Sequence, residues 1–317
     1  MTFFRKTLIS IGFVLMAGYL FAQQNMVCFT IDDLPLQRPS WYDAARQKQI
    51  TENILSALTK YHIPAIGFVN EDKLYVDGKL VKSRQALLEE WLAKGFELGN
   101  HSYSHPNYDN VSFSVFRDDV IKGQQIIGEL GKKYNKPVRY FRQPFLHTGD
   151  TREKSDSLSN WLKSYGLIEA PVTIDNSEWV FAFAYDSVLK TKDTALLHKI
   201  GDTYISYMED KLHYFEKESN KLFGRNIRHV LLFHANALNG DYLDKLAQMF
   251  VRNQYTFISL DQALKDKAYL SENNYFHKNG ISWLDRWALT KGYKGDFFAG
   301  EPLAPEFVKK LAKVEYE

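Results

Sequence analysis

The sequence has one cysteine, Cys28, among 317 residues. A lone thiol closes no internal disulfide, so the fold has no covalent staple and rests on a packed core. An excess of charge of one sign is missing as well, with 40 Lys and Arg against 38 Asp and Glu. That balance provides no general attraction for nucleic acid, and none is expected as a partner. After the first 22 residues there is no long apolar run, no internal repeat of fixed length and no low-complexity linker. These absences exclude a chain that crosses the membrane many times and a repeat array, and favour one domain.

What is present begins with Arg5 and Lys6, followed by an almost wholly apolar run from Leu8 to Phe21 and then Ala22-Gln23. The run is shorter than the roughly 20 residues that a spanning helix needs. Residues 1–22 therefore read as a secretory signal peptide cleaved near Ala22, the alternative being an uncleaved anchor. Either way the rest of the chain is exported, periplasmic or extracellular, with no stable membrane insertion after cleavage. Without Arg5 and Lys6 the charge balance is 38 against 38. About 295 residues remain, enough to bury a large core. Aromatic residues make up 15% of the chain, more often a mark of core than of a sugar-binding surface.

Short apolar runs alternate with stretches of helical period. The runs are Met26–Asp33, Ala65–Asn70, Phe96–Ser102, Val138–Pro144, Leu167–Thr173, His229–Ala235 and Tyr255–Leu260. Between them, Ile50, Ile54 and Leu58 keep helical spacing, as do Leu87, Leu88, Trp91 and Leu92, which stop at Gly95 in a C-cap position. The runs lack clean alternation, as strands covered on both faces do. The pattern predicts an α/β fold, a closed or nearly closed barrel of about seven parallel strands, with an open doubly wound sheet as the alternative. Residues 176–228 break the rhythm and read as an insertion packed on the barrel. The catalytic unit is expected over 26–267, and 268–317 has no clear period and no assigned role.

Chemistry-bearing residues collect at the ends of these runs, the rim where parallel α/β folds build their sites. The first run ends in Asp32-Asp33, a pair costly to hold as anions without a compensating cation; a solvated turn is the plain alternative. The third is followed by His101 and His105, a spacing that can chelate one metal ion, with Pro106 favouring a tight loop over a helix. Arg142 near the end of the fourth offers a fork for a carboxylate such as Asp32. The fifth is followed by Asp175, Glu178 and Trp179, and the sixth ends at His234. Each alone has an ordinary structural reading, but five of seven strands delivering such groups to one rim is hard to produce by chance.

In this order the motifs Thr30-Ile31-Asp32-Asp33, His101-x-x-x-His105, Arg142-x-Pro144-Phe145, Asp175-x-x-Glu178-Trp179 and Leu232-x-His234 resemble those of the polysaccharide deacetylases, the NodB homology domain of carbohydrate esterase family 4. The resemblance spans Met26 to Leu264. It implies a distorted (β/α) barrel and a divalent metal, usually Zn2+, held by Asp33, His101 and His105. It further implies that Asp32 is the general base, Arg142 its anchor and His234 the general acid. Asp175 and Glu178 would support the arginine or the acid histidine. Pro144, Phe145, Trp179 and Leu232 would line the acetyl site. The implied activity is removal of acetyl groups from an N- or O-acetylated carbohydrate.

Three positions depart from the family: Leu34-Pro35 stands where Gly commonly follows the Asp pair, Glu178 where Asp is usual, and Leu146 where Gly is frequent. They touch substrate choice rather than ligands or proton carriers. The competing readings are a metal-dependent amidase acting on a small non-peptide amide, and a non-catalytic carbohydrate-binding envelope protein. Oligomeric state is not legible.

Overall fold

The computed structural model describes residues 24–315. The expected signal peptide, 1–22, lies outside the described residues. Nine strands form: β1 (Asn25–Leu34), β2 (Ile66–Val69), β3 (Tyr75–Val76), β4 (Lys79–Leu80), β5 (Glu97–Asn100), β6 (Tyr140–Phe141), β7 (Ile168–Glu169), β8 (Arg228–His234) and β9 (Tyr255–Phe257). Each of the seven apolar runs contributes one strand to a parallel sheet of order β7-β6-β5-β2-β1-β8, with β9 beside the start of β1. The hairpin β3–β4 is separate and was not foreseen.

The sheet curls toward closure. Past β7 the chain returns to β8, where Ile174 bridges Leu231 and Leu232 N–H donates to the Ile174 carbonyl at 3.3 Å. This is the distorted, incompletely closed barrel expected from the sequence, with strands of only two residues at β6 and β7. Both faces of β1 are buried, as in a parallel strand. Val27, Phe29 and Ile31 pack outward under the helices, while Cys28 joins Ile66, Phe68, Tyr140 and Val230 on the other face. Phe29 meets Phe233, Phe250 and Phe257 edge-on at centroid distances of 5.4, 5.1 and 5.0 Å.

Three of the helices that connect strands start on side-chain caps. Asp43 caps Ala44–Lys60, Thr151 caps Arg152–Tyr165 and Asn236 caps Ala237–Arg252, each accepting a backbone N–H of the first turn. Residues 176–228 form two helices, Glu178–Leu189 and the 30-residue Thr194–Phe223. Glu178 and Trp179 are the first turn of the former. Among the described residues no helix is long and apolar enough to cross a membrane.

The stretch that had no period folds back over the barrel. Helix Trp283–Thr290 buries Leu284 and Trp287, the latter edge-on to Phe223 and Tyr269. Its Arg286 is buried too, and donates to the Leu146 carbonyl at 2.7 Å and to Thr148 Oγ1 at 3.0 Å. Gly280 lies so close that a Cβ there would stand 1.7 Å from the Phe145 carbonyl oxygen. The tail thereby clamps the loop after β6. Trp287→Ala should lower unfolding free energy by about 3–5 kcal/mol, measured by chemical denaturation; a change below about 1 kcal/mol would show that the tail is not part of the core.

Candidate active site

Strand register brings the central groups together. β1 and β8 pair so that Asp32 faces His234, and β5 pairs with β6 so that Asn100 faces Phe141, with Arg142 and His101 next along. Alternation along a strand puts Cys28, Thr30 and Asp32 on one face and would send Asp33 to the other. The backbone prevents this. Register against β2 shifts between Ile31 and Leu34, and Asp33 takes φ of 68°, left-handed for a residue with a Cβ. A bulge of this kind re-aims a side chain, and here both neighbouring carboxylates reach one cavity. Ser102, His105, Phe145 and Leu146 also have positive φ, so unusual backbone is concentrated around the site.

Arg142 is wholly buried and fully engaged. Its Nη1 lies 3.3 Å from both oxygens of Asp32, Nη2 donates to Thr30 Oγ1 at 3.1 Å and Nε to the Ala170 carbonyl at 2.5 Å. The carbonyl of the same residue accepts from His101 Nδ1 at 2.8 Å. That bond places the proton on Nδ1 and leaves Nε2 as a free lone pair. Burial raises the Asp32 carboxyl above its ordinary range, with Arg142 opposing.

Asp33, His101 and His105 offer ligand atoms all within 4.8 Å of one another. His101 Nε2 is 4.0 Å and His105 Nε2 3.8 Å from Asp33 Oδ1. Burial pushes both imidazoles down to about 3, so both rings are neutral and present lone pairs. Burial would raise Asp33, but Lys73 and then the histidines outweigh it and hold the carboxyl well below the usual range. Asp33 Oδ1 is buried and accepts no aligned hydrogen bond; Lys73 Nζ stands 3.0 Å away as an ion-pair partner. Two neutral imidazoles and a carboxylate whose buried oxygen lacks an aligned hydrogen bond fit a divalent cation. His105, freed from the right-handed helix by Pro106 as the sequence suggested, sits at φ 57° in a tight loop.

The acid side is built on Glu178. Its Oε2 accepts from His234 Nδ1 at 2.7 Å, and its Oε1 from Asn236 Nδ2 at 2.6 Å and Asn239 Nδ2 at 2.8 Å. Burial alone would lower His234, but the bond to Glu178 outweighs it and raises the imidazole to about 9. Asp175, the other acid of this motif, does not touch His234. Partly buried, it is pushed by desolvation up to about 6, with Lys211 opposing.

Asp32, Asp33, His101, His105, Asp175 and His234 line a cavity of about 660 Å3. Phe145, Trp179 and Leu232 are in its wall, whereas Pro144, expected with them, is buried outside the lining. Several lining residues were missed. Lys211 and Phe183 come from the two helices of 176–228, and Gly280, Ile281, Glu301 and Leu303 from the tail. Lys73 beside Asp33 was also missed, since nothing marks it out within Asn70-Glu71-Asp72-Lys73.

The sequence model of the polysaccharide deacetylase family matches residues 22–163. An uncharacterised 30.6 kDa protein of Geobacillus stearothermophilus is 23% identical over 234 residues, 73% of this chain and 71% of that protein. A peptidoglycan-N-acetylglucosamine deacetylase of Bacillus cereus is 21% identical over 138 residues, 44% of each chain, so the match spans less than half of that relative. Among solved structures, a carbohydrate esterase family 4 pseudoenzyme from Bacillus anthracis has a TM-score of 0.50 at 18% identity, over 77% of this chain and 66% of that one. A mutant of that pseudoenzyme with restored activity also scores 0.50, at 19% identity, over 77% and 68%. These structural likenesses are ones of fold. The family model covers just under half of the chain, so the chain is similar to the polysaccharide deacetylase family over residues 22–163 and shares the fold of its solved members.

A pH profile tests the His234–Glu178 pair. With its folded value near 9 above the ordinary 6.5, protonated His234 stabilises the fold fully below pH 6.5, and this contribution fades as pH rises through 9. Its capacity to give up a proton as an imidazolium should fade over the same upper range. Glu178→Gln should move the alkaline limb of kcat/KM down by at least about one pH unit; a limb left in place would assign it to another group.

Proposed function

We propose that the chain is a metal-dependent hydrolase that removes acetyl groups from an N- or O-acetylated carbohydrate. The observation that carries this is the strand pairing of Asp32 with His234 beside the three-ligand cluster, each of the pair held by its own buried partner, Arg142 or Glu178. Because one structural relative is a pseudoenzyme, fold alone does not carry the reaction. This chain's own residues must.

Asp33, His101 and His105 would hold the cation, most plausibly Zn2+ for a site of two imidazoles and a carboxylate. When bound, it supplies Lewis-acid polarisation of the acetyl carbonyl. Asp32, with its carboxyl raised by burial and fixed by Arg142, takes a proton from the attacking water. His234, protonated at neutral pH, gives its proton to the departing nitrogen or oxygen. Trp179, Leu232 and Phe145 provide apolar surface for the methyl group and the sugar face. Acetate and a free amine or hydroxyl result.

Trp179, Phe183 and Lys211 from the helices of 176–228 and Ile281, Glu301 and Leu303 from the tail add to the cavity wall. Such walls favour a glycan end or a short fragment over the middle of a long polymer. They also favour the second reading, hydrolysis of a small amide. Acetate release from a panel of acetylated glycans, with small amides alongside, separates the two. The expected outcome is chelator-sensitive release from at least one glycan, reduced by roughly 10²–10⁴ in Asp32→Asn. Release that survives both chelator and this substitution contradicts the mechanism, and turnover of small amides alone favours the second reading.

A further inference from the structure

We propose that Arg38 forms an anion-binding subsite in this cavity, and that the preferred substrate carries an oxyanion, a carboxylate or a phosphate ester, on or next to the acetylated sugar. The proposal rests on the deacetylase reading and names its substrate class. Arg38 lies just beyond β1, on a segment pinned to the end of β8 by a 2.6 Å bond from Gln37 N–H to the Ala235 carbonyl. Its guanidinium carbon is 3.1 Å from the ring centroid of Phe183 and 4.3 Å from that of Trp41. Two aromatic neighbours hold the planar group in one orientation and cover its faces, leaving the N–H donors at its edge to find acceptors.

Those donors meet none among the described residues. Among the described residues the Arg38 side chain makes no hydrogen bond and no ion pair closer than 4.0 Å; Asp186, the carboxylate whose charge it feels, accepts the Tyr42 hydroxyl instead. The other cations of the cavity and its edge are committed, Lys211 to Glu301 at 2.5 Å and Lys73 to Asp33 at 3.0 Å. Arg38 is thus the cation of the lining with a free fork. Partial burial takes water from it and puts no hydrogen-bonded anion in its place, so an incoming oxyanion regains what burial removed. The fork matches two oxygens of a carboxylate or phosphate in one plane. Because Asp32 and His234 line the same 660 Å3 cavity, the oxyanion falls within about a sugar unit of the reacting acetyl group.

The test compares three N-acetylated hexosamine disaccharides, one neutral, one bearing a carboxylate and one a phosphate ester, with wild type, Arg38→Met and Arg38→Lys. Met keeps an apolar stem against Phe183 and removes the fork; Lys restores the charge without it. Wild type should favour one anionic probe over the neutral one by about tenfold or more in kcat/KM, mainly through KM. Whichever anionic probe wins identifies the oxyanion. In Arg38→Met the ratio should fall to near one, with partial recovery in Arg38→Lys. A ratio near one in wild type, or one unchanged in Arg38→Met, overturns the proposal.

Calorimetry in the Asp32→Asn background, using the deacetylated anionic disaccharides, reads the subsite without chemistry. There Arg38→Met should weaken binding by about tenfold, and equal binding with and without Arg38 overturns the subsite. If no probe releases acetate, the deacetylase reading fails while the calorimetry still judges Arg38. Circular dichroism of each variant separates loss of binding from loss of fold.

Discussion

A guanidinium buried as completely as that of Arg142 is tolerated only because every edge of its fork meets an acceptor. Asp32 takes one edge, Thr30 another, and the Ala170 carbonyl the third. These partners come from β1 and from the chain just past β7, so one side chain ties opposite parts of the curled sheet. Its backbone carbonyl also orients His101 through Nδ1. The same residue therefore fixes the position of the Asp32 carboxylate and the direction of the His101 Nε2 lone pair. Removing the fork would leave a carboxylate buried without its counter-charge, which makes the arrangement a constraint on fold and site together.

From that constraint the two adjacent aspartates take different parts. Asp32 follows the alternation of β1 and points at Arg142, while Asp33 is turned by its left-handed backbone toward the histidines. One carboxyl is raised by burial and the other held low, chiefly by Lys73 against burial. Environments that push two neighbouring groups apart in this way separate a proton carrier from a ligand. His234, opposite Asp32 in the register, takes its charge from Glu178, whose remaining oxygen is satisfied by Asn236 and Asn239. Glu178 stands in the first turn of a helix, where the exposed N–H dipoles favour a negative charge.

The parts visible in the sequence were those governed by local rules. Seven apolar runs became seven strands because parallel strands buried on both faces have a plain compositional mark. The groups at their ends share one rim because parallel topology requires it. What stayed hidden depended on long-range packing. Helices Trp283–Thr290 and Glu306–Ala312 are too short for a clear period, and the former buries Arg286 among its apolar residues, which blurs the pattern further. Lys73 looks like any lysine in a charged turn until the fold sets it 3.0 Å from Asp33. That Glu178 rather than Asp175 serves His234 follows from the helix that begins at Glu178, and two acids three residues apart carry no mark of which one will face the histidine.

The central claim is that Asp33, His101 and His105 share one cation next to Asp32. X-ray absorption at the zinc edge, on protein loaded with one equivalent of Zn2+, tests it most directly. The spectrum should show two imidazole ligands and oxygen in the remaining positions, and both the imidazole signal and the stoichiometric binding should disappear in the His101→Ala, His105→Ala double variant. A spectrum without imidazole, or unchanged binding in that variant, would contradict the account.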